Sequence, residues 1–282
     1  MIIPSTEPSL EQILLRLLAE EPHLSAERLR VVASQGKNTY SPAAVYKVLS
    51  RLLSSGVVVK SGSQYSLSLA WVFELLTFAD NISKTYFSDE YVGTLLPSTG
   101  KRIAWKFTNL TRCNEFWNQL LLALLKGVRG EDVFSWVPYP WFVLLQDDRE
   151  SRLHQAFKMS GRTFYTSFGS SGALEPIVKK LYNHKNQIIS FAKGPLHELK
   201  NSYIDVVGDY VLTVTLAPDS ARTINGLFSE LRTRHAINLG KHLAVLSERC
   251  KVTVTIECNQ TKAAKLRQPL ETFFGLDSEA GK

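Results

Sequence analysis

The sequence predicts an α+β winged helix-turn-helix followed by an α/β domain with a central sheet covered by helices. Three observations carry this. Residues 9–69 run helix, helix, helix, strand, polar tip, strand. From residue 101 onward, short β-branched and aromatic runs alternate with stretches of helical periodicity. Between the two lies a segment ending Pro97-Ser98-Thr99-Gly100, where the domain boundary is placed.

In the first piece, Ser25 caps a second helix, Ala26–Ser34, with Leu29 and Val32 facing inward. The connector Gln35-Gly36-Lys37-Asn38-Thr39-Tyr40 is polar. Ser41-Pro42 then opens a third helix with a Ser at the N-cap and a Pro at the first helical position. Val45, Val48, Leu49, Leu52 and Leu53 recur at helical spacing and define one buried face. Ala43, Tyr46, Lys47, Ser50 and Arg51 take the other, and Gly56 ends the helix. Val57-Val58-Val59 and Tyr65–Leu69 read as strands around a wing tip, Lys60-Ser61-Gly62-Ser63-Gln64. A small, aromatic and cationic helix face suits a major groove, and a basic, polar wing suits the phosphates beside it. The expected double-stranded DNA contacts are therefore Lys37, Asn38, Thr39, Tyr40, Ser41, Tyr46, Lys47, Ser50 and Arg51, with Lys60, Ser61 and Gln64 in the wing. The same features leave open a structural, partner-binding winged helix.

A fourth helix follows, about Ala70–Tyr86, with Val72, Leu75, Leu76, Ala79 and Ile82 as a stripe and Trp71, Phe73 and Phe78 alongside. Apolar residues on more than one face ask for a second cover, which suggests a homodimer. Residues 1–86 form the expected first domain and 101–282 the second, with a loose segment, about Phe87–Gly100, between them.

In the second domain, strands are expected at Arg102–Thr108, Val133–Val137, Trp141–Leu145, Thr163–Phe168, Gln187–Ala192, Tyr203–Val207, Tyr210–Leu216 and Val252–Glu257. Helices are expected at Asn114–Gly127, from Asp147-Asp148 to Met159, at Ala173–Asn183, from Pro218 to about Arg232, at Leu239–Glu248 and at Thr261–Phe274. Gly208-Asp209 signals a hairpin. The tail Asp277–Lys282 is expected to fray.

The net charge is +7, unevenly divided. Residues 1–90 carry eight Lys and Arg against nine Asp and Glu, and residues 91–282 carry 25 against 17. The reading head is thus polarised rather than basic: its acids come early (Glu7, Glu11, Glu20, Glu21, Glu27), while Lys37, Lys47, Arg51 and Lys60 lie on the contact surface. Three cysteines without a Cys-x-x-Cys pair argue against a disulfide scaffold or a Cys-based zinc site and fit reducing cytoplasm. No secretory signal opens the chain, and its most apolar run, Leu120–Leu125, is too short to span a bilayer. A cytoplasmic protein without membrane partner, cofactor or metal is expected.

The stretches Leu24–Leu29, Ala44–Leu52 and Ser55–Val58 resemble the DNA-reading half of winged-helix transcriptional regulators of the ferric-uptake-regulator type and the sugar-responsive TrmB type. Both carry a "VYxxLxxL…xGhh" recognition helix running into a wing. The ferric-uptake type implies metal binding by His, Cys and Glu after the wing, and no such cluster follows here. The TrmB type implies a phospholipase-D-like sensor domain. Against the phospholipase-D pattern His-x-Lys-x4-Asp, counting back from Asp209 puts Ile204 at the Lys position and Ser202 at the His position. The string His197, Lys200, Asp205 has one residue too many to match. The resemblance therefore implies a degenerate, non-catalytic domain.

Further candidates lie in the second domain. Ser167-Phe168-Gly169-Ser170-Ser171-Gly172 follows a strand and precedes a helix, so Ser167, Gly169, Ser170 and Ser171 are expected to hold an anionic or polyol effector. It lacks the spacing of a nucleotide loop. Trp136-Val137-Pro138-Tyr139-Pro140-Trp141-Phe142 either walls a ligand pocket or covers the core. His235 and His242 are seven apart, without an acid or Cys at ligand spacing. No catalytic motif is local to any segment. The sequence thus reads as a non-enzymatic DNA-binding transcription regulator with an effector-sensing or dimerisation domain. The alternatives are a nucleic-acid-processing enzyme using the basic α/β domain and a structural partner-binding protein.

Overall fold

The computed structural model describes residues 9–35, 38–86, 88, 92–128, 130–145, 148–169, 174–182, 185–233, 246 and 250–276. The chain divides into two compact units, residues 1–85 and 86–282.

Unit 1 is built from α1 (Leu10–Glu20), β1 (Leu24–Ser25), α2 (Ala26–Ala33), α3 (Pro42–Ser54), β2 (Val58–Ser61), β3 (Gln64–Leu67) and α4 (Leu69–Tyr86). Side chains start each of its first three helices. Ser9 and Gln12 form a reciprocal capping box on α1, Ser25 Oγ accepts from Arg28 N–H, and Ser41 Oγ accepts from Ala44 N–H ahead of Pro42. Leu14, Leu18, Leu29, Val45, Leu49 and Leu52 meet in one core, with Val48 and Leu53 at its margin. Three short strands pair antiparallel in the order β1-β3-β2. The sequence gives no sign of β1, a two-residue strand placed by His23, whose φ of 66° turns the chain and whose Nδ1 lies 2.9 Å from Ser66 Oγ.

The β2–β3 hairpin, expected as a wing, is tighter than the sequence suggests. Ser61 pairs directly with Gln64, so the tip is Gly62-Ser63 alone. Gly62 has φ 61°, as the first central position of a II′ hairpin turn requires, and a two-residue turn then suffices.

Unit 2 carries β4 (Arg102–Phe107), α5 (Leu110–Gly127), β5 (Val133–Val137), α6 (Asp148–Ser160), β6 (Phe164–Phe168), α7 (Glu175–Leu181), β7 (Gln187–Ser190), β8 (Ser202–Val207), β9 (Tyr210–Leu216), α8 (Pro218–Thr233), β10 (Val252–Cys258) and α9 (Gln260–Phe273). Its strands form one seven-stranded sheet in the order β4-β10-β9-β8-β5-β6-β7. Only β5-β6-β7 are parallel; the other four pairings are antiparallel. The unit is thus an α+β mix around a mixed sheet rather than a regular α/β alternation. Helical crossovers α6 and α7 run the chain back parallel, whereas Gly208-Asp209, with Gly208 at φ 55°, folds β8 onto β9 antiparallel. Side chains from α5 to α8 pack on one face and those of α9 on the other. Strands β5 and β6 are buried along their whole length, while edge strand β4 is largely exposed and carries Arg102 and Lys106.

Two expectations change here. Trp141–Leu145 is a 3-10 turn, not a strand. Pro140, which cannot donate, accepts from Val143 N–H, and the turn sinks Trp141 and Leu144 into the core. A fully apolar run satisfies either geometry, so its composition could not choose. The segment placed loosely between the domains contains a 3-10 turn, Val92–Leu95. Val92 and Leu96 are buried, and a Cβ at Gly127 would stand 2.9 Å from Leu96 Cδ1, so helix and turn are in close contact.

Arg162 ties α5 to the sheet. Its guanidinium donates to the Leu125 carbonyl at 2.6 Å and to Val128 O, placing a cation at the C-terminus of α5. Burial lowers its pKa. No helix among the described residues is long and apolar enough to cross a membrane.

Candidate functional site

In unit 1, helix α3 turns Val45, Leu49 and Leu52 inward and leaves Ala43, Tyr46, Lys47, Ser50 and Arg51 exposed on one side. The arrangement follows from the 3.6-residue repeat: the two sets occupy opposite arcs of the helix. Lys47 has no ion pair among the described residues. Arg51 does: its guanidinium is held by Glu11 of α1. It is therefore not the free cation the helical pattern implies, and Glu11 is a neighbour that spacing within α3 could not reveal.

The connector is mixed. Asn38 and Thr39 are exposed. Tyr40 is half-buried against the core, its N–H donating to Ser34 Oγ at 3.1 Å, and Ser41 Oγ is committed to the cap of α3. Both side chains thus serve the fold first. Lys37 lies outside the described residues. In the β2–β3 hairpin, Lys60, Ser61 and Gln64 are exposed, and Lys60 Nζ sits 5.6 Å above the centroid of the Tyr65 ring.

In unit 2 only the first part of the expected effector loop, Ser167 to Gly169, lies among the described residues. Ser167 is fully buried, and its side chain faces the layer containing Trp136; a Cβ added at Gly194 would lie 2.2 Å from Ser167 Oγ. Strand alternation sends position 167 to the opposite face from Thr166. Gly169 is exposed and backed by Pro138, where a Cβ would meet the Pro138 carbonyl at 2.9 Å. Helix α7 spans only seven residues and its N-cap, Leu174, makes no side-chain cap bond. Ser170 and Ser171 lie outside the described residues, as do His235 and His242. The aromatic segment 136–142 does both: Trp136 and Trp141 are buried in the core, and Val137 and Phe142 line a cavity beneath α5.

What the sequence reading missed is a polar row under α5. Asp205 on β8, Ser135 on β5 and Thr166 on β6 are cross-strand neighbours in register and share one face of the sheet. Trp117 on α5 donates its indole N–H to Asp205 Oδ2 at 2.7 Å, and Ser135 Oγ donates to Oδ1 at 2.6 Å. All four residues are buried. Burial pushes the Asp205 carboxyl up to about 6, against the pull of the two hydrogen bonds. Asn114 and Asn118, one helical turn apart, complete the polar lining on the α5 side. The signal was present as a polar residue at the centre of each apolar run: Ser135 in Val133–Val137, Thr166 in Phe164–Phe168 and Asp205 in Tyr203–Val207. Burial raises the Cys113 thiol far above its usual range and the Cys250 thiol to about 11, which disfavours the thiolate at both.

No protein-family model matches the chain, and no curated protein does. Among solved structures, that of TrmBL2, an archaeal chromatin protein described as showing a novel mode of DNA binding, aligns over 94% of this chain and 91% of that one, with 11% identity and a TM-score of 0.34.

Proposed function

We propose that the chain is a non-enzymatic DNA-binding protein, a transcription regulator or chromatin component, whose unit 1 is a winged helix-turn-helix reading double-stranded DNA. The observation that carries this is the outward face of α3. Five side chains of the size and polarity a major groove accepts stand exposed on a helix whose other face is locked into the core. The β2–β3 wing, with Lys60 beside its two-residue tip, adds a phosphate contact.

Assembly as a homodimer through α4 belongs to the same reading. None of the 18 residues of α4 is buried, and Trp71, Leu75, Phe78 and Ile82 follow the four-three-four spacing of a helix-pairing seam. Two copies joined there would present two recognition helices to a two-fold site.

The test is fluorescence anisotropy with labelled duplexes selected from random sequence. Lys47→Ala combined with Arg51→Ala is expected to weaken binding at least about tenfold, each contact being worth on the order of 1 kcal/mol or more. Folding should be intact, because neither side chain enters the core. Equal affinity of variant and parent at matched salt would overturn the assignment of α3.

A further inference from the structure

The polar row of unit 2 borders a partly open cavity with about 430 Å³ of space between and in front of its lining atoms. One wall is the row itself, Asp205, Ser135 and Thr166. The rest is largely aromatic: Trp117, Phe142, Phe157 and Phe164. Among the described lining residues there is no Lys, Arg or His. Asp205 is the one acid, and Tyr182 is the one other titratable group.

We infer that this cavity binds the ammonium end of a small organic amine, with Asp205 as its counter-charge. A carboxylate taken out of water is costly unless a cation or a full set of donors meets it. Here each oxygen has a single neutral donor, Trp117 or Ser135, and the lining supplies no positive charge. The two donors fix the carboxylate in place and use one lone pair on each oxygen, so each oxygen keeps further acceptor capacity at the cavity wall. Aromatic faces favour a cation over an anion or a neutral group of equal size. Thr166, whose hydroxyl oxygen can accept from an N–H donor, stands on the same wall. An anion would meet the Asp205 charge directly, so the ligand class is opposite in sign to the one expected for the Ser167–Ser171 loop. The inference concerns unit 2 alone and holds whether or not unit 1 binds DNA.

The experiment uses the full chain at constant potassium chloride. Methylammonium, ethanolamine and choline are titrated by calorimetry and by ligand-observed NMR, each against a neutral counterpart: methanol, ethylene glycol and 3,3-dimethylbutan-1-ol. At least one ammonium probe is expected to bind saturably, with its neutral counterpart weaker by about tenfold or more. Asp205→Asn, which keeps the volume and removes the charge, should abolish the difference. Should that variant fail to fold, the parent's pH profile decides: amine binding is strong above pH 7 and fades as Asp205 protonates towards pH 5. The inference is overturned if no ammonium probe saturates at concentrations up to about 0.1 M, where millimolar sites are still filled. It is also overturned if the alcohols bind as well as the amines, or if a folded Asp205→Asn protein binds them like the parent.

Discussion

Helices α4 and α5 are each 18 residues long and similarly rich in apolar side chains, yet α5 buries nine residues and α4 none. Leu110, Trp117, Leu121 and Leu124 lie in the core of unit 2. Phe73, Leu76 and Phe78 are 62%, 59% and 63% exposed. The same contrast runs through the polar groups. Unit 1 holds Lys47 and Lys60 out in solvent, while unit 2 buries the Asp205 carboxylate beneath α5. Apolar periodicity therefore marks a face that needs cover without saying what supplies it. In α5 the sheet does. In α4 nothing among the described residues does, which is why assembly is proposed there.

The largest expected effect tests that contrast directly. Leu124→Ala removes a fully buried side chain from α5 and should destabilise unit 2 by about 2–5 kcal/mol. Leu76→Ala in α4 should cost a monomer within roughly 0.5 kcal/mol, as exposed substitutions do. Urea unfolding of both variants at low protein concentration checks this. A large loss for Leu76→Ala under those conditions would mean that α4 is covered within a single chain.

Next comes the buried carboxylate. Its pKa is raised by folding from the ordinary Asp range to about 6, so the native state holds the proton more tightly than the unfolded chain. The contribution to stability is fully present below about pH 4 and is lost as pH rises through 6, about 3 kcal/mol in all. Asp205→Asn removes that dependence. Compared with the parent, the variant should gain stability between pH 4 and 7 and level off above. A pH-independent difference between the two unfolding curves would show that Asp205 does not titrate in this range.

Assembly gives a smaller effect in affinity but the more decisive one for function. Leu75→Glu places a charge in the proposed seam of α4 and should convert a dimer to monomers in analytical ultracentrifugation. DNA affinity should fall with it by about tenfold or more, because the second half-site is no longer tethered. A parent that sediments as a monomer at micromolar concentration while binding its site tightly would remove α4 from the mechanism.

How far the sequence could be read follows the same division. Where local chemistry decides, as in Ser25 and Ser41 before helices, Gly56 after one and Gly208-Asp209 between strands, the expected elements stand in the structure. Where an apolar run is buried throughout, as at Trp141, Phe142, Val143 and Leu144, periodicity carries no information, and the segment expected as a strand is a 3-10 turn. Pairings distant in sequence were invisible: Glu11 with Arg51, His23 with Ser66, and the Asp205–Ser135–Thr166 row from three strands. The burial of Ser167 was hidden for a related reason. Its position in the strand sends the side chain into a packed layer, which the Ser- and Gly-rich composition around it concealed.

The smallest expected effect sharpens the exposed side of the comparison. Lys60 stands at the end of β2 beside the two-residue tip, with its ammonium 5.6 Å above the Tyr65 ring. At an exposed site that contact is worth on the order of 0.5–1 kcal/mol, little enough for a phosphate to compete for the cation. A lysine bound to phosphate releases about one counterion and carries no sequence preference. Lys60→Ala should therefore weaken all duplexes alike and reduce the slope of log affinity against log salt by about one unit. Lys106, exposed on the edge strand of unit 2, is the control, and Lys106→Ala should leave the slope as it is. Parallel salt titrations of the three proteins decide. If the Lys60 variant keeps the parent slope, the wing does not touch phosphate and α3 reads DNA without it. If both variants lower the slope, the basic excess of residues 91–282 also contributes to DNA binding, and the division between an exposed reading unit and a buried sensing unit no longer holds.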